Sequence, residues 1–108
     1  MLDPEARTLL DLMEQATKAG RPKLESLPHA IGRAAVDKMS EDSEADPPEV
    51  ASVVDGTVPG PAGAIRFRRY RPLGAKPGPL PTLIYYHGGG FVIGSIETHD
   101  STCRRLAN

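Results

Sequence analysis

The sequence has few of the residues that build a large hydrophobic core. Trp is absent, aromatic residues make up 5% of the 108 residues, and all apolar residues together make up 39%. These proportions are low for an average globular domain. The length allows one small domain and is shorter than the single-domain enzymes of about 200 residues or more.

Other features that the sequence lacks restrict the partners and the cellular compartment that we expect. A formal net charge of −1 gives no electrostatic reason to expect a nucleic acid or an anionic membrane as partner. No stretch approaches the roughly 18 apolar residues of a membrane span, and the first ten residues lack the apolar segment of a secretory signal. The single cysteine, Cys103, cannot form an internal disulfide, which fits a reducing compartment. We therefore expect a soluble, cytoplasmic protein.

The N-terminal 45 residues predict two helices. Asp3 is a suitable cap and Pro4 a suitable first residue for a helix over residues 3–19, with apolar positions at helical spacing that are Ala6, Leu9, Leu10, Met13 and Ala16. Gly20 and Pro22 end that helix. A second helix with a weaker apolar face is expected over residues 28–39. The acidic residues 40–49, with Pro-Pro near their end, are interpreted as an exposed connection.

The pattern then changes to the alternation of β-strands. Residues 50–58 and 64–71 predict an antiparallel hairpin around the turn residues VPGPAG. Its second strand contains the only basic cluster, which we interpret as outward-facing charges and which comprises Arg66, Arg68, Arg69 and Arg71. Residues 82–87, TLIYYH, have the nearly continuous apolar character of a central strand covered on both faces. The final residues predict the start of a helix, with Thr98 as its cap and Asp100 in its first turn.

The strand at 82–87 is followed directly by three glycines, in the stretch YYHGGGFVIGS of residues 85–95. Without side chains the backbone can adopt positive φ and approach a ligand closely, and successive N–H groups can point at one position. Such an arrangement stabilises a developing oxyanion.

These residues are compatible with three other kinds of structure. The glycines could form a plain loop. A phosphate loop would need Gly-Lys-Ser/Thr after the run, or a glycine at Ile93, and the sequence has neither. A metal site could use His87, His99, Asp100 and Cys103, but no second cluster completes the coordination. For Cys103 we prefer a small buried side chain on the inner face of its helix, and for Asp100 a carboxylate that anchors the helix start.

The string HGGGFVIGS followed by ETHDSTCRRLAN, preceded by two helices, a hairpin and a short apolar strand, resembles the bacterial hormone-sensitive-lipase-like esterases. The resemblance implies an α/β fold, here the N-terminal portion of an α/β-hydrolase. Residues 1–45 would be a helical cap segment. Residues 46–108 would be the start of the core, with strands 1 to 3, the oxyanion loop and the start of the first sheet-packing helix.

The family's site residues map onto the glycine loop. The backbone N–H groups of Gly89 and Gly90 would form the oxyanion hole, while Gly88 would allow the sharp turn. His87 would hydrogen-bond within the loop, and Phe91 would help to wall the substrate pocket. The resemblance implies a small-molecule ester as substrate and requires no cofactor and no metal.

The family's nucleophile lies in a Gly-x-Ser-x-Gly turn, and no serine of this sequence has glycines at both of those positions. We therefore expect an incomplete serine carboxylesterase for short to medium acyl esters, with the remainder of the hydrolase chain, which carries Ser, Asp/Glu and His, as its partner. The alternative is a non-catalytic binding module with a hydrolase-type pocket. The sequence does not determine whether the protein forms a homodimer, because dimers in this family usually form through C-terminal elements.

Overall fold

The computed structural model describes residues 2–43 and 46–108. The helices are α1 (Pro4–Lys18), α2 (His29–Ser43) and α3 (Asp100–Ala107), the strands are β1 (Ser52–Gly60) and β2 (Gly63–Arg71), and short 3-10 turns lie at Leu24–Ser26 and Glu97–His99. The chain divides into two compact units, Met1–Gly32 and Arg33–Asn108. In the described part, no helix is long and apolar enough to cross a bilayer.

Helix α1 in the first unit has the predicted bounds to within one residue. The carboxylate of Asp3 accepts hydrogen bonds from the amides of Glu5 at 2.9 Å and Ala6 at 3.4 Å, and Pro4 stands at the first helical position. These contacts satisfy amides that have no partner within the helix. After the helix, Gly20 has a φ of 85°, a left-handed conformation that favours glycine. The apolar face of α1, including Leu9 and Met13, is exposed.

Helix α2 is longer than the sequence predicted. Residues 40–43, expected in an exposed connection, continue the helix instead. Lys38 lies 2.7 Å from Asp42 and 3.8 Å from Glu41 on the exposed side of this last stretch, and such pairs one turn apart favour helix over coil. Residues 44 and 45 of the predicted connection lie outside the described residues, and residues 46–49 are irregular as expected.

The predicted antiparallel hairpin is confirmed. Its register runs from Ser52 opposite Arg71 to Gly60 opposite Gly63. The Phe67 ring lies over Gly56 on the partner strand, so closely that a Cβ at position 56 would come within 2.5 Å of the ring. A glycine in mid-strand is therefore needed to seat this aromatic ring.

The described residues contain no buried apolar side chain, and Ser101 is the only fully buried residue among them that is polar. The predicted central strand at 82–87 pairs with neither β1 nor β2, which form a two-stranded sheet of their own. Its side chains Leu83, Ile84 and Tyr86 are 69%, 71% and 86% exposed. The prediction of a central strand covered on both faces therefore stays a prediction, because nothing among the described residues covers or pairs with this segment.

A polar cluster connects β2 with α3, and it corrects the interpretation of Arg68 as an outward-facing charge. Arg68 donates to the carboxylates of Asp55 at 2.7 Å and Asp100 at 2.9 Å, and only 18% of its side chain is exposed. The hydroxyl of Tyr70 also donates to Asp100, at 2.7 Å. Arg104, one turn further along α3, donates to the second oxygen of the same carboxylate. Asp100 thus anchors the helix start, as the sequence predicted.

The ionisation of the cluster follows from these contacts. Burial alone would raise the pKa of Asp100, but the hydrogen bonds from Arg104, Tyr70 and Arg68 outweigh it and lower that pKa below its usual value. The pKa of Tyr70 is raised, first by burial and then because its hydroxyl donates to the carboxylate. Asp100 therefore stays charged well into the acid range.

The residues around α3 differ in two further ways from the prediction. His99 precedes the first residue of α3, whereas Thr98, the expected cap, lies within the 3-10 turn. The Thr98 hydroxyl accepts the amide of Ser95 at 2.8 Å instead of an amide of α3. Cys103 is half-buried rather than buried, and burial together with the charge of Asp100 raises the pKa of its thiol.

Because residues 2–43 and 46–108 contain no buried apolar side chain, we expect residues 1–108 expressed alone to be unfolded or aggregated. Burial of apolar surface is the main favourable contribution to folding, and the described residues leave their large apolar side chains exposed. Size-exclusion chromatography and urea unfolding followed by circular dichroism check this outcome. A soluble monomer with a cooperative transition would contradict it.

For the full-length protein, Asp100→Asn should lower the free energy of unfolding by about 2 kcal/mol at pH 7, because charge-assisted hydrogen bonds are lost from a mostly buried group. The pKa of Asp100 is lower in the folded state, so this contribution is complete above the unfolded pKa of about 4 and is lost progressively as pH falls from there through the lower folded pKa. Urea unfolding at pH 7, 5, 4 and 3 measures the difference between the two proteins.

The matched control is Asp55→Asn, which removes an exposed carboxylate that also contacts Arg68. We expect a smaller effect, because exposed ion pairs contribute little. An Asp100→Asn effect that stays constant from pH 7 to pH 3, or that does not exceed the control, would contradict the role of Asp100.

Candidate active site

Residues 87–95, which we call the glycine loop, contain several residues with left-handed backbone conformations. The φ values are 128° at Gly89, 59° at Gly90, 60° at Phe91 and 94° at Gly94, whereas Gly88 is not among the positive-φ residues. Phe91 is the one residue with a side chain among these positive-φ positions, and it is fully exposed. Glycine therefore avoids backbone strain at three of these four positions.

The carbonyl oxygen of Gly89 is held inside the loop, where it accepts the amides of Val92 and Ile93, both at 3.0 Å. The Gly89 carbonyl and the Gly90 N–H belong to one planar trans peptide, so they point in opposite directions. Fixing the carbonyl inward thus turns the Gly90 N–H outward. Among the described residues, the amides of Gly89 and Gly90 have no protein acceptor.

Close packing explains why two of the glycines cannot carry a side chain. A Cβ on Gly89 would overlap the carbonyl of Ile93, and a Cβ on Gly94 would lie 2.8 Å from both the Gly88 oxygen and the His87 ring. The positions of a Cβ on Gly88 and on Gly90 are open. At Gly89 and Gly94 other atoms of the loop approach the backbone closely, whereas the glycine run predicted positive φ, which the structure has, and close approach of a ligand.

His87 lies within the loop, where its Nδ1 is 2.7 Å from the carbonyl oxygen of Gly88. Its ring stacks on that of His99, with 5.2 Å between the ring centres and 26° between the planes. The Nδ1 of His99 is 2.9 Å from the hydroxyl of Thr98. Both imidazoles thus hold neighbouring segments of the loop, and His99 also faces the cleft described next.

An open cleft of about 510 Å³ adjoins the glycine loop. Its lining combines apolar side chains with backbone of the loop and consists of Val36, Met39, Ser40, Gly88, Gly89, Ile93, Gly94, Thr98 and His99. The structure thus brings Gly88 and Gly89 to a cleft with a partly apolar wall. Gly90 and Phe91 do not line it.

Helix α2 contacts the segment that follows the glycines, which the sequence did not predict. Arg33 donates from Nε to the carbonyl of Val92, Asp37 accepts the hydroxyl of Ser95 at 3.3 Å, and the hydroxyl of Ser40 donates to the carbonyl of Thr98 at 3.3 Å. The sequence offered one indication of these contacts: positions 33, 37 and 40 are polar, and their spacing places them on one face of a helix. Their partners lie 58 or 59 residues away, and no local pattern indicates them.

The metal interpretation of this region has no geometric support in the described residues, where no group of three or more His, Cys, Asp or Glu side chains could hold an ion. Asp100, which that interpretation required, is engaged by Arg68, Tyr70 and Arg104.

Comparison with known proteins points to one fold. Residues 83–108 match a family model described as an α/β-hydrolase fold. Carboxylic ester hydrolase LipN of Mycobacterium tuberculosis is 52% identical over 52 residues, which are 48% of this chain and 13% of LipN. An acetyl esterase of Salmonella enteritidis is 46% identical over 50 residues, which are 46% of this chain and 15% of that protein.

Solved structures match over the whole chain. An ester hydrolase from the metagenome of Lake Arreo, in complex with a bipyridine phosphonate derivative, is 76% identical with a TM-score of 0.93, and the match covers 100% of this chain and 34% of that one. The esterase of Pyrobaculum calidifontis is 40% identical with a TM-score of 0.77, covering 100% of this chain and 32% of that one. This chain therefore spans about a third of the length of the solved ester hydrolases it matches.

Proposed function

Because this chain has the sequence and the fold of the N-terminal part of an α/β-hydrolase related to carboxylic ester hydrolases, we propose that the full-length protein is a serine carboxylesterase. In it, residues 87–91 form the oxyanion loop. One observation carries this proposal: the Gly89 carbonyl is bonded inside the loop, so that the Gly90 N–H is turned away from it and has no acceptor among the described residues.

The amides of Gly89 and Gly90 are the proposed oxyanion donors. When a nucleophile attacks an ester carbonyl, negative charge collects on the carbonyl oxygen. Two fixed N–H groups about 3 Å from that oxygen stabilise the transition state more than the ground state, and they need no reorganisation as the charge develops. Gly88 and His87 serve the shape of the loop, His87 through its contact with the Gly88 oxygen.

The remaining catalytic groups come from the part of the protein outside these 108 residues. A serine oxygen attacks the ester carbonyl as a histidine takes its proton, and the histidine then gives that proton to the departing alcohol. Water, deprotonated by the same histidine, attacks the acyl-enzyme; the bond to the serine breaks, the histidine returns the proton to the serine oxygen, and the acid is released. The present residues supply electrostatic stabilisation and part of the substrate pocket.

The lining of the cleft favours an ester with an apolar acyl group as the substrate. Val36, Met39 and Ile93 give it an apolar wall beside Gly89, and about 510 Å³ accommodates a short to medium chain. Phe91 is the proposed further wall of the pocket, since its ring is fully exposed in this part of the protein. A cytoplasmic location remains part of this proposal.

In the full-length protein, Gly89→Val should lower kcat for p-nitrophenyl butyrate by about 10² or more, because the side chain would overlap the Ile93 carbonyl and displace an oxyanion donor. Gly88→Ala is the matched control, because its Cβ meets open space, and it should lose far less activity. Covalent labelling of the nucleophilic serine by an alkyl phosphonate, detected by mass spectrometry, reports whether the reaction uses a serine.

Folding of each variant is checked by its melting temperature. A folded Gly89→Val protein with the kcat of the wild type would contradict the role of Gly89. A full-length protein that neither hydrolyses the ester nor forms the phosphonate adduct would contradict the esterase proposal and favour a binding module.

A further inference from the structure

We propose that Arg33 and Asp37 of α2 are positioning residues that hold the glycine loop in the conformation needed for oxyanion binding. We call these two residues the α2 clamp. The inference rests on the proposed function for its consequence in catalysis, but the contacts themselves are independent of the reaction. Neither residue lines the cleft beside the glycines, so each would act through the loop backbone.

Arg33 holds the middle of the loop. Its Nε donates to the carbonyl of Val92, while the amide of Val92 donates to the carbonyl of Gly89 at 3.0 Å. The carbonyl and the amide of Val92 are therefore both hydrogen-bonded. Because the Gly89 carbonyl and the Gly90 N–H share one rigid peptide plane, a contact that fixes Val92 also fixes the direction of the Gly90 N–H.

Asp37 holds the end of the loop. Its carboxylate accepts the hydroxyl proton of Ser95 at 3.3 Å. The same Ser95 oxygen accepts the amide of Thr98 at 3.1 Å, and the Thr98 hydroxyl accepts the amide of Ser95 at 2.8 Å. Residues 95–98 thus form a closed turn, and Asp37 connects that turn to α2.

These contacts add to the internal hydrogen bonds of the loop and to the stacked rings of His87 and His99. Glycine loses more conformational freedom on ordering than any other residue, and Gly89, Gly90 and Gly94 all have positive φ. The described residues contain no buried apolar side chain that could pack against the loop. Arg33 and Asp37 are one helical turn apart, so a single rigid helix face restrains the loop at positions 92 and 95.

The test uses Arg33→Met, Asp37→Ala and Asp37→Asn in the full-length protein. Arg33 is exposed, so Arg33→Met should fold normally. Loss of one hydrogen bond that orients an oxyanion donor should lower kcat for p-nitrophenyl butyrate by about 5-fold or more in Arg33→Met and Asp37→Ala, with KM within about twofold. Asp37→Asn retains an oxygen that accepts the Ser95 hydroxyl and should keep most of the wild-type kcat.

Lys38→Met is the matched control. Lys38 neighbours Asp37 on the same helix, but among the described residues its ion pairs are with Glu41 and Asp42 on the exposed side. This variant should leave kcat unchanged. An equal loss of kcat in Lys38→Met would overturn the proposal, because a general weakening of α2 would then explain the effect.

Hydrogen exchange of the backbone amides of residues 88–95, measured by mass spectrometry, tests the clamp without using activity. Exchange should be several-fold faster in Arg33→Met and Asp37→Ala than in the wild type and Lys38→Met. This result would support the clamp even where the wild-type protein hydrolysed no ester, in which case the proposed function alone would fail. Unchanged exchange and unchanged kcat in a folded Arg33→Met protein would overturn the clamp.

Discussion

The hydrogen bonds to the carboxylate of Asp100 are the interactions on which the arrangement of the second unit, Arg33–Asn108, depends. This carboxylate accepts hydrogen bonds from Arg68 and Tyr70 of the hairpin and from Arg104 of its own helix. In a protein whose described residues have no buried apolar side chain, these charge-assisted bonds join β2 to α3. They thereby place the start of α3, and the Ser95–Thr98 turn that precedes it, at the side of the glycine loop.

The loop itself shows how a backbone can be made into a binding group. Val92 and Ile93 hold the Gly89 carbonyl inside the loop, and peptide planarity then directs the Gly90 N–H outward. A side chain at position 89 or 94 would collide with backbone atoms of this turn. The glycines are thus required both by their φ values and by the close approach of neighbouring carbonyls, and the polar face of α2 restrains the residues that follow them.

The exposed apolar residues have a common explanation in the proposed hydrolase. Leu83, Ile84 and Tyr86 precede the glycines and are mostly exposed, although their sequence is that of a buried strand. The solved ester hydrolases that match the whole chain are about three times as long. We propose that strands from the remainder of the protein cover this segment. The oxyanion loop would then stand at the end of a central strand, where charge developing on a substrate meets fixed donors and little water.

The sequence by itself determined the features that depend on near neighbours. Asp3 and Pro4 begin α1, alternating residues around a Pro-Gly turn form the hairpin, and three glycines after an apolar run indicated the loop and, by resemblance, the fold. Tertiary structure decided the features that depend on distant partners. Arg68 turned from an expected surface charge into a partner of Asp100, which lies 32 residues away in the sequence. Arg33 and Asp37 acquired partners 58 or 59 residues away. The physical reason is that capping, turn formation and glycine φ preferences act over a few bonds, whereas hydrogen-bond partners across the fold exist only once the chain has brought them together.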